Sequence, residues 1–313
     1  MADRARWLEV ACPGGRSLEV LVDGEAVGIP LVYHCGTPIA AVWFPQLADA
    51  AANAGLRLVS YSRPGYAGST PMPGRSVADA AGDVAGIVDA LNADEFVALG
   101  WSGGGPHALA CAALLAGRCA AAATIAGVAP YPAEGLDWMA NMGQDNVDEF
   151  SAVLLGAETL EPLMEKWAAG MRKIQGPAVA EALGTLVSDV DKGALTGEFA
   201  EMLAECFRRS VSTGIAGWRD DDLAFTSAWG FDLGAIQMPV AIWQGGQDRM
   251  VPFAHGAWLA QHIPGAQIHL YPDEGHLSLA VASLERIVTD LAALGERAGA
   301  SLGAGRSGPS ASD

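Results

Sequence analysis

Short runs at 29–34, 56–61, 95–100, 121–128, 239–245 and 267–271 are mostly apolar, and the segments between them return an apolar residue every three or four positions. Runs that stay apolar throughout suit strands buried on both faces, whereas the longer period suits helices packed along one side. The pattern predicts helices over 43–53, 76–91, 105–115, 253–262 and 278–294. The clearest is 76–91, where Val77, Ala81, Val84, Val88 and Leu91 recur at spacings of four and three, and Ser76 and Asp79 stand as in a capping box. A further strand is predicted over 17–23, paired as a hairpin with its neighbour. Strands alternating with helices imply an α/β fold with a mostly parallel sheet flanked by helices, because parallel neighbours need crossover connections.

The alternation lapses between 130 and 235. Helices are predicted there over 147–155, 160–174, 178–187 and 197–209, and no strand. The chain therefore reads as one α/β core, 1–130 and 236–296, with a helical cap, 131–235, inserted in its second half. Residues 297–313, rich in Gly, Ala and Ser, are expected to form a disordered tail. Trp138, Met142 and Trp167 of the insert, with Trp101 and Trp229, are the candidate walls of a substrate pocket.

Composition narrows the class. Hydrophobic residues make up 51% of the 313 positions and charged residues 17%, enough apolar material for a large core. The formal net charge is −18, and no basic run offers the patch that nucleic-acid binding needs. Within 134–222, 17 acids face 7 bases. The five cysteines form no CxxC pair, which signals neither a disulfide framework nor a zinc site. The opening MADRARWLEV lacks the long apolar run of a signal peptide, no apolar run is long enough for a spanning helix, and a cytoplasmic location is expected.

Candidate chemistry centres on Gly100-Trp101-Ser102-Gly103-Gly104. A GxSxG match is weak alone, but here it follows an apolar strand and opens a helix. That context lifts a serine hydroxyl above the sheet edge on a tight turn. A hydroxyl nucleophile needs a base. His276, between the last strand and the last helix, lies where catalytic groups collect beyond the carboxyl ends of parallel strands. His255, His262 and His269, inside predicted elements, are expected to be structural, and His107 to pack. Asp248, just after the strand at 239–245, is the carboxylate expected to orient the imidazole. Asp273 and Glu274 are expected on an exposed loop, and Glu134 and Asp137 are weaker rivals. Gly103 N–H and Thr37 N–H are the expected oxyanion donors, with Gly36 N–H as second choice.

These pieces, with Gly36-Thr37-Pro38, Ser62 to Ser69, Gly246-Gln247-Asp248 and Gly275-His276, resemble the α/β-hydrolase superfamily, in the serine-nucleophile branch with an inserted helical cap. The resemblance spans roughly 16–294 and departs in one place: Cys35 stands where relatives carry a histidine at the head of the oxyanion loop. It implies that Arg63, in an Arg-Pro-Gly loop, is a structural brace and not a substrate anchor. The triple Asp220-Asp221-Asp222 is read as a solvated turn or helix start. The expected activity is hydrolysis of a small to medium, largely apolar carboxylic ester or thioester through an acyl-enzyme. Alternatives are amide or lactone hydrolysis or an aminopeptidase, carbon–carbon bond hydrolysis or cofactor-free lyase or oxygenase chemistry, and a ligand-binding homologue without turnover. No cofactor or metal is expected; the partner is a small-molecule acyl substrate, and monomer or homodimer stays open.

Overall fold

The computed structural model describes residues 5–25 and 27–306, with 299–306 described by backbone alone. Its strands are β1 (Arg6–Cys12), β2 (Arg16–Asp23), β3 (Ile29–His34), β4 (Leu56–Tyr61), β5 (Phe96–Trp101), β6 (Cys119–Ile125), β7 (Val240–Gly245) and β8 (Gln267–Tyr271). They form one sheet in the order β1-β2-β4-β3-β5-β6-β7-β8. The pairs β1–β2 and β2–β4 are antiparallel, and all the others are parallel.

The helices of the core are α1 (Pro45–Asn53), α2 (Asp79–Ala90) and α3 (Gly105–Leu114). Between β6 and β7 come α4 (Gln144–Leu155), α5 (Ala157–Met171), α6 (Val179–Ala182), α7 (Asp189–Ala194), α8 (Gly197–Ser210) and α9 (Ala216–Phe225). The chain returns to the core with α10 (Phe253–His262) and α11 (His276–Arg306). Alternate strand residues serve opposite layers, which is why the central strands read as unbroken apolar runs. Val97, Leu99 and Trp101 pack with Leu47 of α1 and Leu291 of α11. Phe96 and Ala98 join Val84 of α2, Leu109 of α3 and Leu259 of α10 on the other side. Each Val, Leu or Phe among them, fully buried, contributes roughly 1.5–3 kcal/mol.

Several expectations need correction. The hairpin between 17–23 and 29–34 does not form, because β2 turns back on the unpredicted β1 and its other edge meets β4. The β1 run RWLEVAC lies at the sheet edge with Trp7 47% exposed, so its apolar signal is weak. Helix α2 begins at Asp79, whose Oδ2 accepts from Ser76 N–H and Oγ–H at 2.7 and 2.8 Å. The tail expected to be disordered from 297 is helical through Arg306; 307–313 lie outside the described residues. Helices α7 and α9 were not predicted, the first being only 6 residues long and the second carrying three acids in AGWRDDDLAF. Among the described residues no helix is long and apolar enough to cross a membrane.

Strand β3 lies between β4 and β5. Helix α1, leaving β3, covers one face of the sheet, and α2, which leads into β5, covers the other. Connections that diverge in this way open a crevice beyond the strands' carboxyl ends. The loops after β3 and β5 flank that crevice.

Candidate active site

Ser102 follows β5 with φ +55°, a left-handed conformation that costs a non-glycine residue about 1–3 kcal/mol. The turn is possible because its neighbours lack side chains. A Cβ on Gly104 would overlap the His34 carbonyl, and one on Gly100 would overlap Gly104. The Ser102–Gly104 turn runs straight into α3. Ser102 is thus left half-buried in the wall of a cavity of about 610 Å³.

His276 lines the same cavity. Its Nδ1–H donates to Asp248 Oδ2 at 2.8 Å, which leaves Nε2 as the free ring nitrogen. The indole of Trp101 stacks on the ring at 5.9 Å between centroids. Asp248 is held by the turn after β7: Oδ1 accepts from Met250 N–H and Val251 N–H, both at 2.8 Å, and Oδ2 also accepts from Gln244 Nε2 at 3.2 Å. Burial opposes charge on His276, but the Asp248 carboxylate, its hydrogen bond and then the Asp191 carboxylate outweigh it, so the imidazole holds its proton above the ordinary histidine range. No hydrogen bond joins Ser102 Oγ to His276 among the described residues; contacts of this kind commonly tighten only when substrate binds.

The loop after β3 closes the third side. A Cβ on Gly36 would lie 3.3 Å from Ser102 Cβ, and one on Gly103 would lie 2.5 Å from Thr37 Oγ1. Arg63 braces this loop, donating through Nη1 to Cys35 O and through Nη2 to Gly36 O and Thr37 Oγ1, the last two at 2.9 Å. Asp221 of α9 completes the brace. Its Oδ2 accepts from Arg63 Nη2 at 2.5 Å, Thr37 Oγ1 at 2.8 Å and Tyr66 O–H at 2.8 Å, while Oδ1 meets Arg75 Nη1 at 2.7 Å. Burial alone would push this carboxyl up, yet Arg63 and Arg75 hold it well below the usual carboxylate range.

Much of the rest of the wall comes from the segment between β6 and β7, with Met142, Phe150, Trp167, Trp218 and Phe225 among the lining residues. Glu149 and Asp222 also line it. Glu149 Oε1 accepts from Trp218 Nε1 at 2.5 Å, and Asp222 Oδ2 is buried with no donor. Burial first, and then the neighbouring Glu149, push Asp222 well above the ordinary range, and burial raises Glu149 too. The two carboxyls therefore hold a proton between them more tightly than free carboxyls would.

Residues 30–282 match the family model described as the alpha/beta hydrolase fold. The chain is an α/β hydrolase. It is 29% identical over 241 residues, 75% of this chain and 79% of the other, to a non-heme chloroperoxidase of Streptomyces lividans. Among solved structures it is similar to a bromoperoxidase from Bacillus anthracis, with TM-score 0.66 and 19% identity over 93% of this chain and 100% of that one. An esterase from a Rhodococcus species gives TM-score 0.65 and 23% identity, covering 93% and 98%. At such identities these structures support the shared fold.

In this α/β hydrolase the structure brings Ser102, His276, Gly36, Thr37, Gly103, Trp101, Met142 and Trp167 to one cavity, with Asp248 behind His276. Trp138 and Trp229, expected in the pocket, are not among its walls. Trp138 packs edge-on against Phe150 and bonds Ala129 O at 2.8 Å, while Trp229 is buried with its carbonyl on Ala78 N–H. Both indoles are consumed by packing where the insert joins the core. The reading of Asp220–Asp222 as solvated is overturned: all three are buried in α9. The rivals Glu134, Asp137 and Asp273 are exposed and Glu274 is half-buried. His255 is held between Ala129 N–H and Trp138 O, and burial lowers it to about 4. His107 bonds Gly103 O, and burial and then Arg63 lower it to about 3. Burial raises the Cys35 thiol, which sits 3.5 Å from Ser60 Oγ, so it carries no nucleophilic thiolate. Sequence reasoning missed Asp191, Glu149 and the individual roles of Asp221 and Asp222, whose only signal was the acid-rich insert.

Proposed function

We propose that this α/β hydrolase is a serine hydrolase acting on small to medium, largely apolar carboxylic esters or thioesters through an acyl-enzyme. The observation that carries this reading is Ser102 on its left-handed turn, sharing one cavity with an imidazole whose far nitrogen is bound to a buried carboxylate. His276 Nε2 takes the Ser102 proton as Oγ attacks the carbonyl carbon. Negative charge developing on the carbonyl oxygen is met by Gly103 N–H and Thr37 N–H, with Gly36 N–H as the alternative donor. His276 then hands the proton to the departing alkoxide or thiolate, and water, activated by the same imidazole, releases the acid. The mostly apolar walls favour an apolar acyl or alcohol group. The cap reading of 131–235 belongs to the same proposal.

An esterase among the solved relatives agrees with this chemistry. The chloroperoxidase relative favours one second reading, in which hydrogen peroxide replaces water in attacking the acyl-enzyme and leaves as a peracid. A fluorophosphonate probe should label the wild type and not Ser102→Ala. His276→Ala should lower kcat on an activated ester by about 10²–10⁴-fold with the fold intact. Labelling that persists in Ser102→Ala, or ester turnover at wild-type rate in His276→Ala, would reject the assignment. Peroxide-dependent bromination in the presence of a carboxylate would mark the second reading.

A further inference from the structure

His276 is the first residue of α11, and the first turn of a helix leaves amide donors without partners inside the helix. Here those donors are taken up by a distant segment. Asp191 Oδ1 accepts from Leu277 N–H at 2.8 Å and from Ser278 N–H at 3.0 Å. Its Oδ2 accepts from Ser188 Oγ–H at 2.9 Å and Ser188 N–H at 3.3 Å, in the capping box that starts α7. One fully buried carboxylate therefore joins the first turn of an insert helix to the first turn of the helix that carries the imidazole.

The residue before His276 obeys the same group. A Cβ on Gly275 would overlap the Asp191 carboxylate, so glycine is required there by the closeness of that approach. Gly275 N–H in turn donates to Ser278 Oγ at 2.8 Å. The backbone on both sides of His276 is thus held, while Asp191 is not itself among the residues lining the cavity. The charged groups acting on the imidazole are Asp248, in direct contact after β7, and Asp191, through space from α7; Trp101 of β5 stacks on the ring without charge.

We propose that Asp191 is a positioning residue for His276, setting the backbone of the base and tying its placement to the docking of α7 on α11. The proposal rests on the reading of His276 as the base. Under it, an α/β core that supplies Ser102, Asp248 and His276 from outside the insert depends on the insert for the placement of its base.

The test compares wild type, Asp191→Asn, Asp191→Ala and Ser188→Ala. Three readouts are used: kcat and KM on an activated short-chain ester, the pH profile of kcat/KM, and an NMR titration of the His276 ring assigned by its loss in His276→Asn. Asp191→Asn keeps an oxygen acceptor and removes the charge, so the ring and the acid limb of the profile should move together to lower pH. Asp191→Ala should lower kcat by roughly tenfold or more with KM little changed, as misplacement of a reacting group does. Ser188→Ala leaves the charge in place, so kcat should fall while the His276 titration stays near wild type. If Asp191→Ala does not fold, the other two variants carry the test. A lower Tm with kcat, acid limb and ring titration all at wild-type values would reduce Asp191 to a structural cap and overturn the proposal. Should the wild type turn over no ester, the functional reading fails on its own, and the ring titration in Asp191→Asn still judges the placement of Asp191.

Discussion

Two carboxyl groups sharing a buried wall, Glu149 and Asp222, cannot both ionise without a large cost in desolvation and repulsion. Asp222 is pushed well above the ordinary range by burial and then by Glu149, and burial raises Glu149 as well. A carboxyl whose proton is held more tightly in the folded state gives the native protein more bound protons than the unfolded chain. Stability then falls as pH rises from the ordinary carboxylate range, near about 4, through the raised value. Asp222→Asn removes that term, so the variant should gain on wild type between pH 4 and pH 8 in urea unfolding. A difference that does not change with pH would show that no proton is shared. Asp221, one residue earlier, behaves oppositely because two guanidiniums reach it. Neighbouring residues on one helix thus carry opposite shifts, decided by what each faces.

Among the elements, α9 links insert to core through one buried carboxylate. Its Asp221 ties Arg63, Arg75, Tyr66 and Thr37 into one cluster, and Arg63 carries that restraint to the carbonyls of Cys35 and Gly36. Removing one partner of a buried ion pair leaves the other uncompensated, at a cost of about 3–5 kcal/mol. Asp221→Ala strands two guanidiniums and should destabilise by at least that range in chemical unfolding, with a lower kcat in the fraction that folds. Stability within about 1 kcal/mol of wild type would mean the cluster is relieved by water. The brace also accounts for tolerance of Cys35 at the head of the loop: the loop's carbonyls are held by a guanidinium, so its rigidity does not depend on a histidine at that position.

At the scale of the molecule, the cavity exists only where the insert lies over the carboxyl ends of the strands. The sheet side contributes Ser102 and the loop at Gly36 and Thr37, and the helical side contributes Met142, Phe150, Trp167 and Trp218. Trp167 stacks on Trp218 at 6.0 Å and faces the cavity, whereas Trp138 is packed between Phe150 and His255. Trp167→Ala should therefore extend or shift the acyl-length profile with a modest loss of stability. Trp138→Ala should instead cost about 3–5 kcal/mol in stability and leave the relative preference among esters unchanged. A profile altered by Trp138→Ala and not by Trp167→Ala would reverse this division of the walls.

The order and character of the core elements were legible in the chain because both depend on local pattern. Mostly apolar runs mark strands covered on two faces, as at 29–34 and 56–61, which match β3 and β4 residue for residue, while the run at 267–271 matches β8, an edge strand with Ile268 and Leu270 exposed. Glycines around Ser102 mark a turn that side chains would forbid, and Asp248 and His276 were legible as candidates because they stand just past strand ends. What the pattern could not convey was the partner of each buried acid. Asp191, Asp221 and Asp222 lie in helices with little apolar periodicity, where an acid reads as solvated; the burial of Asp191 and Asp221 is compensated by distant amides and guanidiniums, and Asp222 faces Glu149. The same holds for Trp138 and Trp167, alike in composition and hydropathy yet assigned to core and cavity by tertiary packing. Local sequence determines where a chain bends and which side it hides; only the folded whole determines which charges and rings come to face one another.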